Sequence, residues 1–156
     1  MRTTVELEAG RKSTGDPVLE QVLVDSVDGG LHRLVASPTL VLGLAAGDTI
    51  QVHDDGRFDV KSRGGNLAVQ VYGDHSLADE VVADVWTLGG ALDGRAPGAT
   101  VFTIPVTAGF QSVERVFNEL TARHPEMEWY FGNVYDPRDG VTPLLWWENS
   151  TGPTSA

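Results

Sequence analysis

Apolar and polar residues alternate through the first half of the chain, which predicts strands rather than helices. The alternation is clearest in Thr49–His53 and Arg57–Lys61, which flank the sequence Asp54-Asp55-Gly56. Asp-Gly is a pair that the tight turns of β-hairpins favour. These residues predict a hairpin within a strand-rich lobe of about residues 18–64, which we expect to form a small barrel or a curled sheet.

Apolar residues in the second half follow the three- and four-residue spacing of amphipathic helices. One such stretch begins at Ser76 and stops at Gly89-Gly90, and a second runs from about Ser112 to Arg123. Strand-like segments precede, separate and follow them, at Asn66 to Tyr72, Thr100 to Val106 and Glu128 to Tyr135. This order predicts a β-α-β-α-β lobe over about residues 66–148, with two helices packed on one face of a sheet.

The expected fold class is therefore α+β, and a length of 156 residues suits a single domain, 1–156, made of these two lobes. Because Arg11 to Pro17 is polar and turn-prone, we expect the first 15 or so residues to form a loosely held arm. We also expect a loop from Gly89 to Gly98, a last short strand at Leu144 to Trp147, and a flexible tail, 149–156.

Charge is the main departure of this sequence from an average globular protein. Eleven Lys and Arg residues against 22 Asp and Glu residues give a formal net charge of -11 at pH 7. A negative field repels phosphate backbones and anionic lipids, and it speeds encounters with basic proteins. We therefore expect a basic protein partner, with no nucleic acid and no membrane as partner. Solubility alone is the alternative explanation of the charge.

The sequence contains no Cys and no long apolar segment. The absence of Cys removes disulfides and thiolate chemistry, and it fits a reducing compartment. Leu40 to Ala46, the longest apolar stretch, is too short to cross a bilayer, and Met1 to Asp16 lacks the apolar run of a secretory signal. The predicted location is the cytoplasm.

Common catalytic motifs are missing from the sequence. It has no Gly-x-Ser-x-Gly motif, and Gly89 to Gly94 lacks the Lys-Ser/Thr pair of a phosphate-binding loop. The four His residues are not spaced to place two imidazoles on one helix face, as helical zinc sites require. His53 lies beside Asp54 and Asp55, but a hairpin turn already explains those acids and is the favoured interpretation. We predict no catalytic residue, no metal ligand and no cofactor.

Aromatic residues are concentrated among acidic residues in the last third of the chain. Trp and Tyr dominate binding hot spots, and acids would pair with Lys or Arg of a basic partner. The predicted partner-binding residues are Tyr135, Asp136, Asp139, Trp146, Trp147 and Glu148. In a strand, Trp146 and Trp147 would point to opposite faces. The alternative is that the aromatic rings fill the core of the second lobe.

The segment from Ser37 to Val52 contains a Pro, then Gly-Leu, then Gly-Asp directly before a predicted strand. In this pattern it resembles an uncharacterised bacterial family named domain of unknown function 4265, over Val18 to about Tyr135. The resemblance implies a loop ahead of a β-strand and its hairpin, followed by strand, helix and strand. It also implies bacterial origin, and it implies no established activity and no functional residue.

The leading hypothesis is a non-enzymatic protein-binding protein, and its specific form is an immunity protein that neutralises a basic toxin domain. One alternative is a small hydrolase-like enzyme that uses an acid and a histidine in a cleft between the two lobes. Another is a small-molecule binding domain, which an enclosed apolar cavity with few polar groups would favour.

Overall fold

The computed structural model describes residues 1–150 and confirms the α+β class, with one five-stranded and one four-stranded antiparallel sheet. The strands of the first sheet are β1 (Arg2–Arg11), β2 (Pro17–Val27), β3 (Leu31–Leu34), β4 (Thr49–Val52) and β5 (Phe58–Ser62). The strands of the second sheet are β6 (Asn66–Tyr72), β7 (Ala91–Ala96), β8 (Ala99–Pro105) and β9 (Glu128–Phe131). The helices are α1 (His75–Ala78), α2 (Val82–Thr87), α3 (Phe110–Arg123) and α4 (Trp146–Ser150).

The first sheet is a meander in which the strands lie in sequence order, and it curls as predicted for this lobe. The turn between β4 and β5 reaches β1, where the Glu8 N–H donates to the Gly56 carbonyl at 2.9 Å. Alternate apolar residues of the strands and of the β3–β4 loop fill the inside of the curl. Those that are buried are Leu7, Val22, Val24, Leu34, Val41, Leu44 and Ile50.

The first strand corrects the prediction of a loosely held N-terminal arm. β1 pairs with β2 from Arg2↔Asp25 to Arg11↔Pro17, with one irregularity between Glu8 and Gly10. Leu7 is fully buried, and Val5 and Ala9 pack against the same core. The inward face of β1 is apolar and its outward face is polar, so a short alternating pattern is enough to hold it in the sheet.

The second sheet has the order β7-β8-β6-β9, and β6 therefore lies inside it. The segment 89–98, predicted to be a loop, contains β7, which is hairpin-paired with β8. The lobe is consequently β-α-β-β-α-β, the split β-α-β arrangement of ferredoxin-like folds. Gly94 and an irregularity between Leu92 and Gly94 hid this strand, because they break its alternation.

The helices cover one face of the second sheet. α3 begins two residues earlier than predicted and buries Val113, Phe117 and Leu120 against β6 and β8. The first predicted helix is present as α1 and α2, joined by a 3-10 turn at Asp79–Val81. Its N-cap is Asp74, whose carboxylate accepts the Ser76 N–H at 2.8 Å.

The opposite face of the second sheet meets the first lobe through the loop between β3 and β4. Along β6 the residues Leu67, Val69 and Val71 face the helices, so Ala68 and Gln70 face this loop. The Gly43 N–H donates to the Gly132 carbonyl at 2.7 Å across the junction.

Two carboxylates hold the β3–β4 loop in place. Glu20 accepts three consecutive backbone N–H groups, from Thr39, Leu40 and Val41. Asp48 is buried and accepts from Ala45 N–H, Gly64 N–H and the Arg63 guanidinium. Burial raises the pKa of Asp48, against the lowering effect of these donors. The loop therefore presents its residues to the junction in a set position.

The segment Leu144 to Trp147 is not the strand that was predicted. Leu145 has a left-handed backbone conformation (φ 58°), which interrupts an extended run, and α4 begins at Trp146. From residue 151 the predicted flexible tail lies outside the described residues. Within residues 1–150, no helix combines the length and the apolar character needed to cross a membrane.

Candidate functional site

A cleft where the two lobes meet gathers all three tyrosines of the chain. Its volume is about 350 Å³, and we call it the tyrosine cleft. The residues that line it are Leu42, Gln70, Tyr72, Tyr130, Phe131, Gly132, Tyr135, Asp136, Pro137 and Gly140. They come from the β3–β4 loop, from β6 and β9, and from the loop that follows β9. The cleft therefore depends on the packing of both lobes.

Strand pairing brings two of the tyrosines together. β6 and β9 pair with Gln70 opposite Tyr130 and Tyr72 opposite Glu128, so these four side chains share the face turned away from the helices. The rings of Tyr72 and Tyr130 meet edge to face, with 5.8 Å between centroids. Tyr130 is 53% exposed, so much of its ring is open to a ligand.

The tyrosine hydroxyls are held by polar neighbours. The Tyr72 hydroxyl donates to Gln70 Oε1 at 3.1 Å, and Gln70 is itself buried at the floor of the cleft. The Tyr130 hydroxyl donates to Glu128 Oε2 at 2.6 Å. These bonds orient both rings without using their faces.

Negative charge lies next to these rings. Burial, followed by the charge of Glu20, raises the pKa of Tyr72 above its ordinary value. The hydrogen bond to Glu128, followed by the charge of that carboxylate, raises the pKa of Tyr130. Both phenols therefore stay neutral at physiological pH. Aromatic faces beside carboxylates are the surroundings that favour a bound cation.

Asn133 fixes the loop that carries Tyr135. Its side chain is fully buried and makes the hydrogen bonds to the β6 main chain that a continued β9 strand would make. Oδ1 accepts the Ala68 N–H at 2.9 Å, and Nδ2 donates to the Asn66 carbonyl at 2.8 Å. This leaves the Gly132 carbonyl available for the Gly43 N–H. One amide side chain thus lets the main chain leave the sheet while its neighbours remain hydrogen-bonded.

Of the predicted partner-binding residues, Tyr135 and Asp136 line the tyrosine cleft. Tyr135 is 42% exposed and forms an isolated β-bridge with Pro143. Asp136 is engaged by the Arg138 guanidinium at 2.6 Å, and this contact lowers the pKa of Asp136. Asp136 can therefore bind a ligand only while it remains paired with Arg138, or after this ion pair breaks.

Asp139 organises its own turn. Its carboxylate accepts from the Thr142 hydroxyl and from the N–H groups of Thr142 and Val141, and these bonds lower its pKa to about 2. The neighbouring Gly140 lines the cleft and Asp139 does not. Its contribution to the cleft is the shape of the loop.

Trp146, Trp147 and Glu148 lie on α4, outside the tyrosine cleft. Trp146 is 8% exposed, its Nε1–H donates to the Asn133 carbonyl at 2.8 Å, and Arg63 lies over its ring at 5.7 Å. Trp147 packs edge to face on Phe110 at 5.1 Å. The two tryptophans thus add to the core of the second lobe, while Glu148 is exposed.

Sequence reasoning missed Tyr72, Tyr130 and Leu42 as members of the site. A usable signal was present in β6, where Gln70 and Tyr72 alternate with Val69 and Val71 and therefore share the second face of that strand. The pairing of β6 with β9, which adds Tyr130, has no local signature.

The His53 cluster is a separate feature at the tip of the β4–β5 hairpin. His53 Nε2 lies 2.8 Å from Asp59 Oδ2, and this contact lowers the pKa of Asp59. Both side chains are largely exposed, as the turn interpretation predicts. Across the described part of the chain, no three His, Asp or Glu side chains are grouped so that they could hold a metal ion.

Fold and site define a two-lobed α+β protein with an aromatic cleft at the lobe junction. Residues 20–128, well over half of the chain, match the model of the family described as Domain of unknown function (DUF4265). The chain belongs to this family, and the resemblance in its sequence is confirmed.

A solved structure, described as a novel crystal structure of a hypothetical protein from Neisseria gonorrhoeae, has a similar fold. The TM-score is 0.64, with 12% sequence identity, covering 85% of this chain and 94% of that chain. Similarity at this level of identity extends to the fold alone. No curated protein matches the chain.

Proposed function

We propose that this chain is a non-enzymatic binding protein that takes up a cationic side chain of a basic partner protein in the tyrosine cleft. The observation that carries the proposal is the gathering of all three tyrosines around one cleft, with carboxylates beside two of them.

A guanidinium or ammonium group over an aromatic face gains about 0.5–2 kcal/mol, more when the site excludes water. The ring of Tyr130 is exposed. Glu128 places negative charge at the Tyr130 hydroxyl, and Glu20 places negative charge near Tyr72. The net charge of -11 favours the approach of a basic partner over a longer range. Ring contacts would therefore provide affinity, and the overall charge would provide the rate of encounter.

More specifically, we propose that the chain is a bacterial immunity protein and that its partner is a cationic toxin domain. The support for it is the same acidic charge and the same cleft. A toxin domain encoded next to this gene would be the first partner to test, by co-purification at low and at high salt. Failure to bind that domain would contradict the specific form and leave binding of other basic partners to be measured.

The experiment for the general proposal is calorimetric titration with a short arginine-rich peptide and with its glutamate-rich counterpart. We expect only the arginine peptide to bind, and we expect added NaCl to weaken it because salt screens the charges. Tyr130→Ala should weaken binding about tenfold, equivalent to about 1.4 kcal/mol.

The matched control is Trp86→Ala. Trp86 is 74% exposed on α2, beside β7 at the opposite edge of the second sheet from β9. Its removal should leave binding unchanged. Equal loss in both variants, or equal binding of the two peptides, would contradict the proposal.

Small-molecule binding is a second candidate, favoured by the volume and lining of the cleft. A volume of about 350 Å³ lies at the lower end of the range for small-ligand sites, and Leu42, Pro137 and the tyrosine rings make much of the lining apolar. A neutral aromatic compound that binds there with higher affinity than the arginine peptide would favour this candidate.

A further inference from the structure

The outer edge of β9 carries backbone groups that face away from the sheet. β9 is the last strand in the order β7-β8-β6-β9, and the Gly132 N–H donates to the Ala68 carbonyl at 2.7 Å. In this antiparallel register the peptide groups of Tyr130 and Glu128 also point toward β6. The N–H and C=O groups of Trp129 and Phe131 therefore point outward.

These outward groups have no hydrogen-bond partner among residues 1–150. An edge of this kind is a template for a further strand. The strand is short and lies directly beside the tyrosine cleft, since Tyr130 belongs to both. A segment bound in the cleft would thus pass within reach of the edge.

We infer that an extended basic segment of the partner protein pairs with β9 as an added antiparallel strand of the second sheet. This inference rests on the proposed function and specifies how the partner binds. Charge complementarity selects this occupant: Glu128 lies on β9 itself, and the chain carries a net charge of -11. Backbone bonds to Trp129 and Phe131 would supply affinity for any extended sequence, and the carboxylates would select a basic one.

The register determines which side chains of the added strand meet the cleft. In an antiparallel pair, residues opposite Trp129 and Phe131 would exchange hydrogen bonds with them and place their side chains on the helix-covered face. The residue opposite Tyr130 would place its side chain on the face of the tyrosine cleft and turn its N–H outward. The expected partner sequence therefore alternates a cationic residue with an apolar one.

The experiment uses the full chain and a peptide of about seven residues that alternates Arg and Val. Two versions carry N-methyl groups, one on the Val residues and one on the Arg residues. N-methylation removes a donor and blocks pairing at that residue. We expect methylation of Val to weaken binding at least tenfold and methylation of Arg to change it less than twofold.

If methylation of Arg weakens binding and methylation of Val does not, the antiparallel arrangement is overturned. If both methylated peptides bind as tightly as the unmethylated parent, strand addition is overturned altogether. Equal loss in both would overturn it as well, because pairing affects only alternate residues.

These results are separable from the proposed function. If both methylated peptides bind as the parent does and Tyr130→Ala weakens all three, the cleft is a binding site and the edge is not. Sedimentation of the protein alone tests a second copy as the occupant of the edge. A dimer that the peptide cannot dissociate would overturn the inference.

Discussion

Replacement of Asn133 by Leu tests the physical account of the lobe junction. Leu has a similar volume and no amide, so the change removes two hydrogen bonds without opening a large cavity. The Ala68 N–H would lose its acceptor inside the second sheet, and the Asn66 carbonyl would lose its donor. Each buried group left unsatisfied costs about 1–3 kcal/mol, and we expect about 3 kcal/mol in total because Asn66 is only half-buried.

Urea unfolding followed by tryptophan fluorescence measures this loss. With an m-value of roughly 2 kcal/mol/M, a loss of about 3 kcal/mol lowers the midpoint by about 1.5 M. The control is Asn118→Ala, which removes an exposed hydrogen bond from Trp129 Nε1 at 3.0 Å and should change stability by no more than about 0.5 kcal/mol. A midpoint shift below about 0.5 M for Asn133→Leu would refute the role assigned to the amide.

Gly64→Ala should destabilise the protein by more than about 2 kcal/mol in the same assay, because a Cβ there would lie 2.5 Å from the Gly47 carbonyl carbon. Gly98 has open space around it, so Gly98→Ala should cost only the backbone strain of about 1–2 kcal/mol. Equal destabilisation by the two variants would argue against a close approach of Gly64 to Gly47. Asp139→Ala should change how the stability of the protein depends on pH in the acidic range. The native pKa of about 2 lies below the unfolded value of about 3.9, so the contribution of Asp139 is present above pH 4 and disappears as the pH falls toward 2. The difference in thermal midpoint between native chain and variant should therefore shrink between pH 5 and pH 2, and a constant difference would contradict this.

Local signals made part of the fold predictable. The β4–β5 hairpin follows from Asp55-Gly56 between two alternating segments, and α3 follows from the spacing of Val113, Phe117 and Leu120. β1 was assigned to a loosely held arm because a polar, turn-prone segment follows its short alternating stretch. β7 was assigned to a loop because Gly94 interrupts its alternation. Each strand is held by pairing with a neighbour, β2 or β8. Tertiary pairing can thus make a strand where the local pattern is ambiguous.

The candidate site was predictable only where its residues follow one another in sequence. Tyr135 and Asp136 were identified from aromatic residues among acids, and both line the cleft. Tyr72 and Tyr130 are brought together by pairing of strands far apart in the chain. Trp146 was predicted to contact a partner, and its placement depends on a hydrogen bond to the Asn133 carbonyl that the sequence does not reveal.

The limits of the family match have a practical consequence for protein production. The matched residues 20–128 begin inside β2 and end at the first residue of β9. A fragment cut at those limits would lack β1 with its buried Leu7, and it would lack Asn133. The folded structure thus extends beyond the residues by which the family is recognised, so expression fragments of related proteins should include both flanking strands.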